Sequence, residues 1–296
     1  MRTKNQYTMS IVGAGPVGSA LAMLFHRAGY HIASIVSQKK NSARDLARIV
    51  KCQKYSDSLS DIHPATRIIL IAVPEEYISE IAKTIARHPY LDFSKLAVFH
   101  TSGSLTSDAL LPLMREGVTA FSLHPIQSFS KASDLDYQVV RMKNVVYGFE
   151  GYTTALPLAR RLVKSLCGRL IQIPKEEKIL YHIACVFASN YSIALLGTLE
   201  ELAKRIDGNI KLSHFEPLVK TSIENAFQVT PTMALTGPIA RGSTSTIENH
   251  VNELRKTDKT LAFLYQQIGL QALKMAIKRK SIQPNVARHI RQIFLS

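Results

Sequence analysis

The sequence predicts an α/β protein in which a doubly wound, mostly parallel sheet precedes an all-helical C-terminal domain. Three observations support this fold class. A glycine-rich turn near the start of the chain joins a short apolar strand to a helical run. Short apolar runs then alternate with helical patterns, which is typical of βαβ units. Strand patterns end at Pro174, so we predict one domain over residues 1–174 and a helical domain over residues 175–296.

Short apolar runs predict the strands of the sheet. The run Arg67–Val73 is apolar from Ile68 onward, as expected for a strand buried on both faces, and Pro74 ends it. Glu75 and Glu76 then open a helix, where acidic side chains favour the helix dipole. The other predicted strands are Met9–Val12, Ile32–Val36, Leu96–His100, Val118–Leu123, Asn144–Tyr147 and a last edge strand at Leu170–Ile173.

The turn after the first strand has the G-x-G-x-x-G spacing of dinucleotide-binding Rossmann domains. Gly13 permits a tight turn, Gly15 lets a pyrophosphate approach the backbone, and Gly18 lets the helix pack closely on the strand. Pro16 and Val17 begin that helix, whose free N–H groups favour phosphate. We predict that these five residues bind the cofactor. The alternative is a glycine turn in a domain that binds no nucleotide.

The end of the second strand indicates which dinucleotide binds. An NAD site usually has an acidic residue there to hold the ribose 2′-hydroxyl. No acid occurs here before Asp45, and a hydroxyl and three cations stand in its place. Such groups suit a 2′-phosphate, so NADP(H) is favoured over NAD(H), although solvated loop lysines are the ordinary alternative. The residues are Ser37, Lys39, Lys40 and Arg44.

Beyond Pro174 the pattern is helical. One pattern runs from Glu176 to about Ile206, which is long for a globular helix and predicts the spine of the second domain. Three more helices are predicted near residues 214–228, 245–255 and 259–280. On the long helix one face is polar while the apolar residues lie mainly elsewhere, so this face is expected to line a cleft or meet water. The polar face comprises Lys178, His182, Cys185 and Ser189, with Asn190 at its edge.

The composition is that of a soluble globular protein, with 46% hydrophobic residues. We expect no apolar run of membrane length, no signal peptide and no membrane partner. Three separated cysteines argue against a disulfide framework or zinc site and favour a reducing cytoplasm, with no metal. The net charge of +15 is interpreted as a solvated basic surface around an anionic cofactor. Nucleic-acid binding is disfavoured because no recognition motif accompanies the charge.

With these motifs in place, the chain resembles two-domain Rossmann oxidoreductases of the pyrroline-5-carboxylate reductase and ketopantoate reductase group. More narrowly, it resembles a bacterial branch of Rossmann-like NADP oxidoreductases that includes alternative ketopantoate reductases. The resemblance implies a helical domain like the C-terminal domain of 6-phosphogluconate dehydrogenase, a small carboxylate substrate and a homodimer. Besides the glycine turn, it rests on Ile71–Pro74, His100–Leu105, His124–Phe129, Tyr181-His182, Ser189–Tyr191 and Leu235–Gly242.

The same motifs supply the candidate site residues. The resemblance places Ala72, Val73 and Pro74 at the cofactor. His182 is the predicted general acid, because imidazole titrates near neutrality, with a structural histidine as the alternative. Ser102 and Gly103 follow a strand at its carboxyl end, where ligands bind, although a Ser/Gly turn that caps the next helix through Ser104 would look the same. Ser102 and Asn190 are predicted, with His182, as catalytic residues. Ser102, Gly103 and Asn190 are also predicted to bind the substrate, together with His124, Ser189, Thr236 and Arg241.

The proton donor is the open question of the sequence. Related dehydrogenases carry a lysine four residues before an asparagine on the long helix. If Asn190 is that asparagine, Val186 takes the place of the lysine. Either another group is the acid or the substrate brings its own proton, as a protonated imine would. The leading hypothesis is NADPH-dependent reduction of ketopantoate to pantoate, followed by reduction of a pyrroline-5-carboxylate-type imine. A protein that binds NADP without turnover is the alternative from another class.

Overall fold

A computed structural model describes residues 8–130 and 134–296. Eight strands form one sheet, in the spatial order β3-β2-β1-β4-β5-β6-β7-β8. Every neighbouring pair is parallel except β6 and β7, which are antiparallel. The predicted α/β fold class is therefore confirmed. The strands are β1 (Thr8–Val12), β2 (His31–Val36), β3 (Tyr55–Ser56), β4 (Ile68–Ile71), β5 (Ala97–His100), β6 (Thr119–Pro125), β7 (Val146–Gly151) and β8 (Arg169–Gln172).

Helices pack beside the sheet and predominate in the later part of the described chain. Those of the sheet-containing part are α1 (Pro16–Arg27), α2 (Lys40–Ile49), α3 (Glu75–Ile85), α4 (Leu111–Arg115), α5 (Leu135–Val140), α6 (Leu156–Ser165) and α7 (Lys178–Val186). The later ones are α8 (Ser192–Ile206), α9 (Glu216–Gln228), α10 (Pro231–Ala234), α11 (Gly237–Arg241), α12 (Thr244–Thr257), α13 (Lys259–Lys278) and α14 (Pro284–Leu295).

Two buried clusters lie on the sheet because its central strands are apolar on both faces. β4 is wholly buried, and its residues alternate between the clusters, with Leu70 in one and Ile71 in the other. Phe99 of β5 stacks on Phe121 of β6, with ring centroids 5.4 Å apart. The core therefore holds the strand ends in register along one edge, where the loops after β1, β4, β5 and β6 emerge.

The chain divides into two compact units, the first extending to Ala194 and the second from Leu195 to Ser296. The second unit has a core of its own where α12, α13 and α14 meet. Within that core Gly269 of α13 lies against Phe294 of α14, and a Cβ at Gly269 would lie 2.5 Å from the ring. The division falls within α8, further along the chain than Pro174, and α7 belongs to the first unit.

A 32-residue helix, Lys175–Ile206, comprises α7, a π-helical turn over Phe187–Tyr191 and α8, which agrees with the predicted long pattern. By length and composition it is also a candidate membrane span among the described residues, which is weak evidence for a membrane. Core helices of soluble proteins pass the same test, but those are mostly buried, whereas none of this apolar window is buried here. The expectation of no apolar run of membrane length is therefore wrong, since residues 179–199 carry no Asp, Glu, Lys or Arg.

The first part of this helix has a buried polar face and an exposed apolar face. Lys178 on its polar face is fully buried, and His182 and Cys185 are partly buried. The apolar side chains are exposed, with 62% of Phe187 accessible. The helix therefore presents its polar face to the described chain and leaves its apolar face uncovered. The exposed apolar residues are Ile179, Leu180, Ile183 and Phe187.

Several elements were not predicted, among them β3, α14 and α11. β3 is only two residues long, too short to produce an alternating pattern. α14 begins at Pro284, after a positive-φ Lys280, and follows α13 so closely that its pattern reads as a tail. The segment around Thr236 and Arg241, expected to be a loop, forms the short helix α11, which ends at Gly242 in the left-handed conformation.

Candidate active site

The glycine turn between β1 and α1 contains glycines of two kinds. Gly13 has φ of 104°, and a Cβ there would lie 2.2 Å from the carbonyl oxygen of Ala72. A Cβ on Gly18 would lie 2.0 Å from the carbonyl oxygen of Gly13. Gly15 has φ −79° and ψ −178°, an extended conformation open to any residue. No described atom outside its chain neighbours lies within 4 Å of its Cβ position. The fold requires glycine at Gly13 and Gly18 but not at Gly15.

The residues after β4 lie directly beside this turn, as predicted for a cofactor site. The N–H of Ala72 donates to the carbonyl oxygen of Val12 at 2.8 Å. Val73 would contact a Cβ on Gly13, and Pro74 immediately precedes α3. Pro16 and Val17 form the first turn of α1, which has no side-chain cap. That turn therefore keeps free N–H groups at the same edge of the sheet.

The predicted 2′-phosphate residues lie at the carboxyl end of β2. Ser37 is half-buried, Lys39 is the N-cap residue of α2, and Lys40 is its first residue. That helix has no side-chain cap and no acid in its first turn. Neither lysine forms an ion pair within the described ranges, whereas Arg44 lies 3.4 Å from Asp45. A helix N-terminus with two unpaired cations is an environment that favours an anion.

The loop after β5, Ser102–Leu105, is held by hydrogen bonds from α3. The Ser102 hydroxyl donates to Glu75 Oε1 at 2.5 Å, and the Ser104 hydroxyl donates to Glu75 Oε2. Burial alone would raise the pKa of Glu75, but these two hydrogen bonds and the charge of His182 lower it below its usual value. The Glu75 carboxylate is therefore ionised at neutral pH and fixes the loop.

This arrangement bears on two expectations about the loop. Ser102 Oγ also accepts the N–H groups of Ser104 at 3.2 Å and Leu105 at 2.9 Å. Its proton is donated to Glu75, so in this structure the Ser102 hydroxyl positions the loop, and its catalytic role stays a prediction. Ser104 does not cap a helix, because the next helical turn begins after Thr106.

His100 supports the same loop from within β5, the structural role that its position predicts. The ring is fully buried. Its Nδ1 accepts the N–H of Ser102 at 3.2 Å, and Nε2 lies 3.1 Å from the carbonyl oxygen of Thr106. Burial lowers the pKa of His100 to about 4, so the ring is neutral and Nε2 carries the proton that Thr106 accepts.

Two histidines from other elements converge on Gly103. A Cβ at Gly103 would lie 2.6 Å from Cδ2 of His182 and 3.1 Å from Nε2 of His124. His124 ends β6, and its Nδ1 lies 2.6 Å from the hydroxyl of Tyr181. Burial, and then the charge of Lys178, lower the pKa of His124 to about 4. Candidates that are far apart in the sequence, Gly103, His124 and His182, thus form one cluster.

Lys178 is buried beneath this cluster. None of its surface is accessible, and its ammonium donates to the hydroxyl of Ser122 at 2.8 Å. Within the described ranges no carboxylate forms a salt bridge with it. Burial lowers the pKa of Lys178 to about 8, while more distant charges, Glu150 first, partly oppose that effect. A buried, perturbed lysine at a sheet edge is a feature of functional sites.

Three of these contact residues were absent from the predicted site. Lys178 lies on the polar face of the long helix, so that face contained the signal. Tyr181 belongs to a motif that carried the resemblance. Glu75 was predicted only to open α3, and no local pattern shows that two serines on a distant loop converge on its carboxylate. Val186, at the position expected for the lysine, immediately precedes the π-helical turn.

Ser189 and Asn190 lie in the π-helical turn. The Ser189 hydroxyl is 2.9 Å from the carbonyl oxygen of Cys185 and 2.8 Å from Asn190 Oδ1. π-helical turns inside α-helices often mark functional sites. In the described chain no hydrogen bond joins Asn190 to His124 or His182. The structure therefore brings Ser189 and Asn190 together without joining them to the histidine cluster.

The remaining candidates belong to the second unit. Thr236 is the N-cap residue of α11 and its side chain forms no capping hydrogen bond. Arg241 is exposed at the end of the same helix, and no ion pair involves it in the described part of the chain. Both side chains are thus available to a ligand. The same ranges contain no group of three or more His, Cys, Asp or Glu side chains arranged to hold a metal ion.

Two family models match the chain. A Rossmann-like domain matches residues 2–125, and a domain of unknown function designated DUF2520 matches residues 145–272. No curated protein matches the sequence.

Solved structures show the same fold. A proposed NADP oxidoreductase from Bacteroides fragilis is 22% identical, with a TM-score of 0.73 over 91% of this chain and 99% of its own. A protein from Thermotoga maritima is 26% identical, with a TM-score of 0.71 over 92% of this chain and 99% of its own. An imine reductase from Myxococcus stipitatus, solved with NADP+, is 16% identical, with a TM-score of 0.62 over 90% and 94%. The chain therefore shares the fold of these proteins over almost its whole length.

Proposed function

We propose that the protein is an NADPH-dependent oxidoreductase that reduces a C=O or C=N bond of a small carboxylate. The observation that carries this proposal is the turn between β1 and α1. Gly13 and Gly18 lie too close to neighbouring backbone to carry a Cβ, while the backbone at Gly15 is open beside the uncapped start of α1. A pyrophosphate can approach that open backbone. The fold shared with oxidoreductases, one of them solved with NADP+, supports the same proposal.

The choice of NADP(H) over NAD(H) rests on the end of β2. Lys39 and Lys40 stand unpaired beside the uncapped start of α2, and Ser37 supplies a hydroxyl. These groups match the charge of a 2′-phosphate, whereas a ribose 2′-hydroxyl is usually held by a carboxylate. Arg44 completes the set if it exchanges Asp45 for the phosphate.

The chain's own residues would orient the reactants and move one proton. When bound, NADPH supplies the hydride. Its nicotinamide end is expected near the loops after β4 and β5, because ligands of such sheets bind outside the carboxyl ends of the strands. The cluster of Gly103, His124 and His182 lies at that edge. His182 is our candidate proton donor, since its ring is partly exposed and not committed to any hydrogen bond within the described ranges.

Ketopantoate is the first substrate that we propose, through the family resemblance, and a cyclic imine is the second. Two observations support the imine as a candidate substrate. Val186 cannot donate a proton, whereas a protonated imine carries its own. The ionised Glu75 close to the cluster also favours a cationic substrate. The imine reductase fold of a solved neighbour is consistent with that second substrate.

The deciding experiment measures NADPH oxidation with ketopantoate and, separately, with pyrroline-5-carboxylate, using NADH as the cofactor control. Turnover with one substrate assigns the reaction, and His182→Gln is then expected to lower kcat by a factor of about 100, the range for loss of a general acid. His289→Gln, an exposed histidine in α14, is the matched control. Tight NADPH binding without turnover of either substrate would favour a non-catalytic NADP-binding protein.

A homodimer and a reducing, cytoplasmic location are further proposals. The apolar side chains of Ile179, Leu180, Ile183 and Phe187 lie exposed together on one helix, and a second copy of the chain is the occupant that the resemblance implies. The described cysteines are all free. Sedimentation of wild type and Phe187→Glu checks the dimer, since the charge should shift the protein toward monomer if this face is the interface.

A further inference from the structure

A line of hydrogen bonds joins the buried cation to the ionised carboxylate through the Ser102–Leu105 loop. Lys178 Nζ donates to Ser122 Oγ at 2.8 Å, and Ser122 Oγ donates to the carbonyl oxygen of Ser102 at 3.3 Å. Ser102 Oγ in turn donates to Glu75 at 2.5 Å. Each of these residues comes from a different element. The Lys178 ammonium therefore acts, through Ser122, on the carbonyl side of the peptide bond between Ser102 and Gly103.

The amide on the other side of that peptide bond is free. Gly103 is buried, yet its N–H has no acceptor among the described residues. The neighbouring N–H groups of Ser104 and Leu105 are both accepted by Ser102 Oγ. Buried backbone donors without a partner are rare, because each costs free energy. Gly103 also packs against two histidines, so its free N–H is available to bind an acceptor atom of a ligand.

We propose that Lys178 is a positioning residue that acts through Ser122 to polarise the Ser102–Gly103 peptide, so that the Gly103 N–H binds the substrate atom on which negative charge develops. Linked hydrogen bonds polarise one another, and a donor to the Ser102 carbonyl makes the N–H of the same peptide a stronger donor. Preorganised backbone donors of this kind stabilise developing charge. The identity of that atom rests on the proposed reductase function, whereas the polarisation does not.

The charge on Lys178 can be switched by pH, which supplies a test. Its burial brings the pKa to about 8, so the ammonium loses its proton in a range that a folded protein tolerates. The titration of Lys178 must be distinguished from the titrations of other ionisable groups nearby. The groups that face Lys178 are Glu150 on β7, Glu75 on α3, His100 on β5, His124 on β6, and Tyr181 and Cys185 on its own helix.

The peptide can be observed alone, because Ser102–Gly103 is the one Ser-Gly step in the sequence. Cell-free synthesis with carbonyl-¹³C serine and ¹⁵N glycine gives a single carbonyl–nitrogen correlation in a carbon-detected spectrum, which does not depend on the amide proton. Between about pH 6.5 and pH 9.5 we expect this signal to shift with a midpoint near the Lys178 pKa of about 8. Lys178→Met should abolish that step.

The controls separate polarisation from mere packing. Lys175→Met removes an exposed lysine one turn earlier, paired with Asp108, and should leave the shift unchanged. Ser122→Ala keeps Lys178 but removes the middle of the line, and should suppress most of the step. It also serves if Lys178→Met fails to fold, although methionine replaces a buried charge with apolar volume and is expected to be tolerated. The proposal is overturned if the step persists in Lys178→Met or in folded Ser122→Ala, or is absent from wild type.

A kinetic readout then tests the consequence. With a substrate that turns over, Lys178→Met should lower kcat about 10-fold and leave the KM for NADPH near the wild-type value, since removal of a whole such donor costs 10²–10³-fold. An unchanged kcat beside a lost NMR step would overturn the role in binding developing charge. If no substrate is reduced, the reductase proposal fails while the NMR result still decides the polarisation.

Discussion

Two loops at the same edge of the sheet are built in opposite ways. Among the described residues, the turn Gly13–Gly18 is held by one side-chain hydrogen bond, from the Ser19 hydroxyl of α1 to the carbonyl oxygen of Ala14 at 3.3 Å, and it is open above Gly15. The loop Ser102–Leu105 is tied to α3, β5 and β6 by Glu75, His100 and Ser122. The first presents bare backbone to a large ligand. The second is rigid and presents one free N–H beside two histidines.

The difference shows that the glycines of the two loops have different surroundings. At Gly13 and Gly18 backbone atoms of the chain occupy the Cβ position, and at Gly103 two imidazole rings do. At Gly15 the Cβ position is open in the described chain, as it also is at Gly197 and Gly208, so an open position by itself does not indicate a ligand. What distinguishes Gly15 is its place beside the uncapped start of α1.

The largest expected effect comes from Gly18→Ala set against Gly15→Ala. A Cβ at Gly18 would overlap the carbonyl oxygen of Gly13, so we expect a loss of more than about 3 kcal/mol in the free energy of unfolding. Gly15→Ala should leave stability within about 0.5 kcal/mol of wild type. It should weaken NADPH binding at least about 10-fold, roughly 1.4 kcal/mol. Urea unfolding measures the stability of each variant, and fluorescence titration measures its NADPH affinity. Equal effects of the two substitutions would contradict the proposed difference between Gly18 and Gly15.

Acid should destabilise the protein through the loop Ser102–Leu105 and not through the turn Gly13–Gly18. In the folded protein His100 is neutral above its pKa of about 4, whereas in the unfolded chain it binds a proton near the ordinary histidine pKa of 6.5. Stability is therefore present above about pH 6.5 and is lost as pH falls toward 4, by an amount on the order of 3 kcal/mol. Urea unfolding of wild type and His100→Gln across this range checks it, with the exposed His31→Gln as control.

The carboxylate that ties down the second loop should matter less. Glu75→Gln replaces two charge-assisted hydrogen bonds with weaker ones, so we expect a loss of about 1.5–3 kcal/mol in stability. NADPH affinity should change little, because the glycine turn is untouched. Glu76→Gln alters the neighbouring, exposed carboxyl and is the matched control. A stability equal to that of wild type would mean that the loop does not need its anchor.

The smallest expected effect concerns cofactor choice at the first loop. Lys39→Ala with Lys40→Ala removes two exposed cations at the start of α2. Each surface charge contributes up to about 1 kcal/mol, so the preference for NADPH over NADH should fall roughly 10-fold while NADH binding is kept. Arg48→Ala, in the last turn of the same helix, is the control. An unaltered ratio of Kd values would contradict the assignment of these lysines to the 2′-phosphate.

The sequence by itself determined the fold class, most of the strands and the edge of the sheet at which the site lies. These are local properties, because a strand buried on both faces must be apolar throughout and a glycine turn needs its glycines in order. The same logic placed Gly103, His124 and His182 after strands or on the polar face of a helix. Local sequence patterns did not predict β3, whose two residues form a strand only by pairing with β2.

Only the tertiary structure decided which polar groups meet. Lys178, Ser122, Ser102 and Glu75 are spread from residue 75 to residue 178, and hydrogen bonds link them only after four elements have packed. The use of the Ser102 proton, the burial of the Lys178 charge and the free N–H of Gly103 depend on distances of a few ångströms. Such distances follow from packing across the sheet, which no local residue pattern specifies.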